Sequence, residues 1–155
     1  MKYLTLLITG LLITTFTYAQ SFKEEVDLLQ AAFGMEKKVI VDQFVHPDEA
    51  QQDAFWKVYD EYETKRKDFG KKRLDLLVNY SEIWENMSDA QADSFMKELL
   101  KLKSSTDRLL VSYFKKVKKV TSPKVATQFF QIESYILTTV RFQLQESVPF
   151  VHQGS

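Results

Sequence analysis

The sequence predicts an all-α protein of four helices, of which two long ones form a helical hairpin within an elongated bundle or cradle. Residues that interrupt helices are scarce, since the 155-residue chain contains three Pro and four Gly. Helix-start signals precede four long amphipathic runs, either as Ser with Glu or Gln three residues later or as Pro at a first helical position. These signals are Ser21–Glu24, His46–Glu49, Ser88–Gln91 and Ser122–Lys124.

The first nineteen residues differ from the rest of the chain. Lys2 is their only charge, residues 3–16 are apolar apart from Thr and Gly, and Thr17-Tyr18-Ala19 offers small residues at the positions that a signal peptidase reads. We interpret residues 1–19 as a secretory signal peptide and residues 20–155 as one all-helical domain, which we expect in the periplasm. An uncleaved anchor helix is the alternative, but the apolar core is shorter than the ~20 residues that a membrane-spanning helix needs.

The first predicted helix, residues 22–44, carries two apolar stripes. One stripe is Phe22, Val26, Leu29, Phe33, Ile40 and Phe44, and the other is Leu28, Ala32, Met35 and Val39. Two apolar faces imply two packing partners. The second partner is either another subunit, which would make the protein a homodimer through this helix, or another part of the same chain.

The other three predicted helices each have one apolar arc at about 100° per residue. The second helix, 47–86, gathers Phe55, Val58, Tyr59, Tyr62, Phe69, Leu76, Leu77, Tyr80, Ile83 and Trp84, and Gly70 is its one predicted point of bending. The third helix, 89–119, gathers Phe95, Leu99, Leu102, Leu109, Leu110, Tyr113, Val117 and the adjoining Val120. The fourth helix, 123–146, gathers Val125, Phe129, Ile132, Ile136, Val140 and Leu144.

Charged residues fall inside two of these arcs. Arg66 and Arg73 lie in the middle of the arc of the second helix, and Glu133 lies in the middle of the arc of the fourth. An isolated buried charge is so unfavourable that opposite charges on facing helices predict an ion pair. We therefore expect Glu133 to pair with Arg66, Arg73 or both, as a device that fixes helix register or as a polar patch that captures a ligand.

Basic residues line the opposite side of the third helix. They are Lys97, Lys101, Arg108, Lys115 and Lys119, at spacings that keep them aligned along the helix. Such a basic stripe could bind anionic lipid, lipopolysaccharide or acidic segments of unfolded proteins, or it could simply be solvated. Nucleic acid is not an expected partner, because the predicted signal peptide implies export and the net charge is near zero. Lys and Arg together number 21, and so do Asp and Glu.

The sequence does not indicate an enzyme, a metal site or a cofactor. It contains no Cys, and neither of its His residues, His46 and His152, is followed four residues later by a metal ligand or has a neighbouring nucleophile. Asp60, Glu61 and Glu63 alternate with aromatic and basic residues, as on a helix surface. Several aromatic residues lie at the edges of the arcs or outside them and are candidates for exposed binding groups. These aromatic residues are Phe22, Trp56, Phe114, Phe130, Tyr135 and Phe142.

Short motifs resemble the Spy/CpxP family of small periplasmic helical proteins. Met87-Ser88-Asp89-Ala90-Gln91 is similar to the Leu-Thr-x-x-Gln helix start of that family, with Met and Ser in place of Leu and Thr. Val45–Glu49 resembles a degenerate copy that keeps neither Thr nor Gln. The sequences Phe55–Tyr62, Phe129–Glu133 and Val148–Phe150 extend the resemblance over about residues 45–150. The resemblance implies a dimeric, cradle-shaped helical hairpin that acts as an ATP-independent chaperone or modulates an envelope-stress sensor.

Two functions of different classes follow. The first is a periplasmic chaperone that holds unfolded or partly folded envelope proteins through apolar and basic groups. The second is a regulatory protein that docks on one specific envelope partner. Binding of a lipid or small ligand between the helices, with possible contact to a membrane surface, is a third.

Overall fold

The computed structural model describes residues 37–151, and within that range the chain forms helices and no strands. We label the helices α1 (37–44, its described part), α2 (Gln52–Ile83), α3 (Asp89–Val120) and α4 (Pro123–Glu146). Short 3₁₀ turns, Glu49–Gln51 and Trp84–Asn86, flank α2. The predicted all-α fold is confirmed.

The predicted starts of α3 and α4 are confirmed in detail. Ser88 accepts a hydrogen bond from the backbone amide of Gln91, and the Gln91 side chain accepts one from the Ser88 amide, which completes a capping box. Ser122 accepts from the amide of Val125, and Pro123 occupies the first turn of α4. These caps satisfy amides that the helix itself leaves unpaired.

The predicted start of α2 at residue 47 is wrong by one turn. Asp48 makes no side-chain capping hydrogen bond, and the chain passes through the 3₁₀ turn before α2 begins at Gln52. No side chain caps the first amides, so residues 49–51 form a 3₁₀ turn, whose hydrogen bonds span three residues instead of four. α2 then runs without interruption through Gly70.

Contacts between rings and polar groups define how the helices run. α2 and α3 are antiparallel, because Tyr62 contacts Tyr113 near one end of the pair while Tyr80 stacks on Phe95 near the other, with ring centroids 5.5 and 4.6 Å apart. α4 returns beside both of them. Phe129 packs edge-on against Tyr62 at 5.3 Å, and at the far end the Tyr80 hydroxyl donates to the carbonyl of Pro149 at 2.8 Å. The result is an up-down-up bundle, with α1 packed at the end where α2 begins.

The main core lies at this end of the bundle. Its members are Val41, Val45, Phe55, Tyr59, Tyr62, Leu110, Tyr113, Val117, Val125, Ala126, Phe129, Ile132 and Ile136. Predicted core residues of α2, α3 and α4 supply most of this set. Towards the other end, Leu74, Leu76, Leu77 and Tyr80 are buried on α2, whereas Phe95, Leu99 and Leu102 on α3 are only half-buried.

Over residues 37–44 the predicted apolar stripes are only partly buried, since Ile40 packs against the core but Val39 and Phe44 do not. Val39 and Phe44 are 58% and 57% exposed, while Lys37, Val41 and Val45 turn inward and are at most 2% exposed. Residues four apart lie on the same helix face, so the burial of Lys37 places Val41 and Val45 towards the core as well. The rest of both predicted stripes, including Phe22, lies outside the described residues, as do the predicted signal peptide, the first helix start and His152.

We predict that the serine caps stabilise the fold and that Asp48 does not. Ser88→Ala should lower the free energy of unfolding by about 1 kcal/mol, because it leaves an amide of the first α3 turn unpaired. Asp48→Ala is the matched control and should change it by less than about 0.5 kcal/mol. Urea unfolding followed by circular dichroism measures both, and equal losses for the two variants would contradict the assignment.

Candidate functional site

Four ionisable side chains from three helices meet inside the bundle. Lys37 comes from α1, Glu63 and Arg66 come from α2, and Glu133 comes from α4. Lys37 and Glu133 are 1% and 0% exposed, and Glu63 is 9% exposed. We call these four residues the buried ionic cluster. Charges this deep in a protein are tolerated only when they are paired and hydrogen-bonded.

Lys37 is the centre of the cluster. Its ammonium donates to the carboxylates of Glu63 and Glu133, at 2.8 Å for the Oε2 of Glu133. Arg66 donates from Nε and Nη2 to the two oxygens of Glu63, at 2.7 and 3.1 Å. This bidentate geometry is the strongest form of a guanidinium–carboxylate pair. The two cations and two anions therefore balance within one connected network.

Tyrosine rings enclose the cluster. The Tyr59 hydroxyl donates to the Oε1 of Glu133 at 3.4 Å. The Lys37 ammonium lies 5.8 Å from the centre of the Tyr59 ring and 5.4 Å from that of Tyr62, within range of a cation–π attraction. Burial and the nearby carboxylate of Glu133 raise the pKa of both tyrosines far above the usual range. Both hydroxyls therefore keep their protons.

The pKa values of the two buried carboxylates, Glu63 and Glu133, shift in opposite directions. Burial alone would raise the pKa of Glu63, but the hydrogen bond from Arg66 and the charge of Lys37 outweigh it and hold the pKa below its ordinary value of 4.5. Burial raises the pKa of Glu133 above 4.5, since Lys37 only partly offsets that effect and Glu63 adds to it. The negative charge of Glu63 is thus well compensated by Arg66 and Lys37, whereas that of Glu133 is less well compensated.

The predicted ion pair of Glu133 is wrong in its partner. Glu133 is buried and ion-paired as expected, but to Lys37 rather than to Arg66 or Arg73. Arg66 belongs to the same cluster through Glu63, which lies three residues before it on α2. Arg73 lies farther along α2, where burial and the charge of Arg141 lower its pKa and Asp107 opposes them.

Sequence reasoning missed Lys37 and misplaced Glu63. The interpretation of Glu63 as a surface residue fails because Glu63 lies between the inward-facing Tyr59 and Arg66 on the same side of α2. The signal for Lys37 was its alignment with Val41 and Val45 at spacings of four residues. Lysine in such a line usually extends to water, so the pattern alone did not reveal a buried charge.

The outer surface of α3 is basic, as predicted. Every residue of the basic stripe is exposed, namely Lys97, Lys101, Arg108, Lys115 and Lys119. Lys97 pairs with Asp93 at 2.6 Å, one turn earlier on the same helix, and Arg108 donates to Ser105 at 3.4 Å. The stripe is therefore accessible to a partner.

Apolar side chains lie beside this stripe. Leu100 is 57% exposed and Val111 is 45% exposed. A shallow depression of about 720 Å³ lies against the same side of α3, and its described lining includes Leu100, Val111, Arg108 and Lys115. We call the basic stripe together with Leu100 and Val111 the α3 surface. It combines cationic and apolar groups along one helix.

The predicted exposed aromatic residues fall into two groups. Tyr135 and Phe142 are 70% and 61% exposed, and Phe130 is 36% exposed at the seam where it contacts Phe114. Phe114 and Trp56 are half-buried, and the Lys38 ammonium lies 4.9 Å from the centre of the Trp56 ring. The exposed aromatic groups therefore belong mainly to α4.

Residues 37–151 contain no group of three or more His, Cys, Asp or Glu that could hold a metal ion. His46 is exposed, and its backbone amide donates to the side chain of Gln128 at 3.2 Å. No helix in the described part of the chain has the length and apolar character needed to cross a membrane.

No protein-family model matches the chain, and neither the curated proteins nor the solved structures include a significantly similar one. The resemblance to the Spy/CpxP family stays a prediction.

We predict opposite pH effects from the two buried carboxylates. Glu63 has a lowered pKa in the folded state, so the stability it provides is present above pH 4.5 and is lost as the pH falls through its folded pKa. Glu133 has a raised pKa, so its ionisation lowers stability as the pH rises from 4.5 through its folded pKa. At neutral pH, Glu63→Gln should lower the free energy of unfolding by about 3 kcal/mol, and Glu133→Gln should lower it less.

Urea unfolding between pH 3 and pH 7 measures both effects. Relative to the wild type, the Glu63→Gln protein should lose less stability below pH 4.5, and the Glu133→Gln protein should gain less stability on mild acidification. Asp60→Asn, an exposed carboxylate on the same helix, is the control. Identical pH profiles for the wild type and both buried variants would contradict the described electrostatics.

Proposed function

We propose that the protein is an ATP-independent binding protein of the bacterial envelope that holds unfolded or partly folded polypeptides on the α3 surface. One observation carries the proposal: exposed apolar side chains lie beside an accessible basic stripe on a single long helix. Leu100 and Val111 offer apolar contacts, and Lys101 and Lys115 offer cationic ones. An unfolded chain presents both apolar side chains and carboxylates to such a surface.

The strength of these contacts fits a holding function. Covering a half-exposed Leu or Val contributes about 1 kcal/mol, and an exposed ion pair contributes less than about 1 kcal/mol. Any one contact is therefore short-lived, and affinity comes from several made together. A client held in this way is released when it folds and withdraws its apolar groups, without any need for ATP.

The predicted signal peptide and the resemblance to the Spy/CpxP family support an envelope location. The balance of 21 basic and 21 acidic residues supports recognition by local patches rather than by overall charge. A regulatory protein that docks on one envelope partner could use the same surface. Such a protein would show no effect on unrelated clients, and this difference separates the two functions.

We predict that the protein suppresses the aggregation of unrelated denatured proteins and that the α3 surface is required. The variant Lys101→Glu with Lys115→Glu should need about tenfold more protein for the same suppression, because each reversal replaces an attraction with a repulsion. Light scattering of a chemically denatured protein diluted into buffer measures the effect. Raising the salt concentration should weaken the wild type towards the variant.

The control carries the same change of charge elsewhere. Lys67→Glu with Lys71→Glu alters two exposed lysines of α2 and should suppress aggregation as the wild type does. A second variant, Leu100→Ser with Val111→Ser, tests the apolar contribution at unchanged charge. Failure of the wild type with every unrelated client would contradict the proposal and favour a partner-specific protein.

A further inference from the structure

The depression beside α3 has a lining arranged like the surface on which a second helix packs. The described residues that line it all belong to α3, and all are exposed. In a coiled coil, residues at positions i, i+3, i+4 and i+7 form a hole that receives one side chain of the partner helix. The lining contains such a set at its start, formed by Leu100, Lys103, Ser104 and Asp107. The same pattern repeats from Ser104 and again from Arg108, which carries it to Lys115.

Small side chains keep these holes open. Ser104 and Ser112 lie among the larger lining residues, and the apolar Leu100 and Val111 beside them are 57% and 45% exposed. A side chain of a partner helix fits over each serine and contacts the apolar groups next to it. The lining extends from Leu100 to Lys115, which is about 22 Å along the helix axis, or about four turns.

The charge on this side of α3 determines which partners it attracts. From residue 99 to residue 119 the only acidic residue is Asp107, and its carboxylate already accepts a hydrogen bond from Arg141 on α4 at 3.0 Å. Basic residues of the same stretch include Lys101, Lys103, Arg108, Lys115 and Lys119. None of these basic residues forms an ion pair within residues 37–151. A partner that brings carboxylates is therefore attracted along the whole depression.

The backbone of a partner is better satisfied here as a helix than as an extended chain. The peptide groups of α3 are bonded within the helix, so between its ends they offer no hydrogen bonds to a neighbour. An extended segment covered by this surface would leave peptide groups without partners, whereas a helix pairs its own. An isolated helix of about four turns is only marginally stable in water. Contact with α3 can therefore induce the helix.

We infer that the α3 surface binds acidic client segments as amphipathic helices of about four turns that lie along α3. The inference rests on the proposed function and names the class of client segment. The apolar side of the bound helix covers Leu100 and Val111. Its carboxylates face the basic residues on either side, such as Lys103 and Lys115.

Synthetic peptides of about four turns test the selectivity. The first is rich in Glu and carries Leu at intervals of three and four residues. The second has the same composition in an alternating order that gives no apolar helix face, and the third replaces each Glu of the first with Lys. Fluorescence anisotropy should show that the first binds about tenfold more tightly than the second and that the third does not bind. Circular dichroism should show that the first becomes helical when bound.

Filling the holes in α3 separates helix docking from general apolar attraction. Ser104→Phe with Ser112→Phe keeps the charge and adds exposed apolar area, yet it should weaken binding of the first peptide about tenfold. A surface that binds any apolar chain would bind more tightly after this change. Thr64→Phe with Asn79→Phe adds the same rings at exposed positions of α2 and should bind the peptide as the wild type does. Circular dichroism of each protein alone checks that its helical content is kept.

The outcomes separate this inference from the proposed function. If the wild type suppresses aggregation but binds the two peptides of equal composition with equal affinity, the inference is overturned and the proposed function stands. Tighter peptide binding by the serine variant would overturn the inference as well. Selective binding of the first peptide without any suppression of aggregation would support helix binding and contradict the proposed holding of clients.

Discussion

The ion pairs from Lys37 to Glu63 and Glu133 constrain the rest of the structure. They join α1, α2 and α4 at one point inside the bundle, and each charge there is tolerated only because the others are present. Apolar packing and the position of an ammonium between two carboxylates both restrict the register, but only the ion pairs leave buried charges unpaired if the helix shifts. The register of α1 against the bundle therefore follows from Lys37, and Val41 and Val45 are carried into the core with it.

The burial of Glu133 also affects the outer surface of the bundle. Since Glu133 turns inward and Arg141 pairs with α3, the outer side of α4 carries no unpaired charge between residues 125 and 145. The exposed lysines of α3 lie on its outer side, while Leu110 and Tyr113 on its inner side are buried in the core. One bundle thus presents two surfaces of opposite chemistry. The α3 surface is basic and partly apolar, whereas the outer side of α4 carries the exposed aromatic rings of Tyr135 and Phe142.

Local signals in the sequence predicted the architecture well. The serine caps at Ser88 and Ser122 fix helix starts through hydrogen bonds to residues three positions away, so sequence alone contains the information. The predicted start of α2 at Pro47 was wrong because the chain is still extended at Asp48 and then forms a 3₁₀ turn, a difference that Pro at a first helical position does not reveal. The ionic cluster depends on long-range contacts between α1, α2 and α4. The position of Glu133 in the apolar arc of the fourth helix predicted a buried ion pair. Helical periodicity did not identify Lys37 as its partner, because it says nothing about which residues of different helices meet.

A double-mutant cycle between Lys37 and Glu133 tests the central claim most directly. Lys37→Met, Glu133→Gln and the double variant are compared with the wild type by urea unfolding at neutral pH. If the buried ionic cluster joins α1 to the bundle, the two changes should be coupled by about 2 kcal/mol, so that the double variant loses much less stability than the sum of the single losses. Losses that add to within about 0.5 kcal/mol would show that the two residues act independently and would contradict this account.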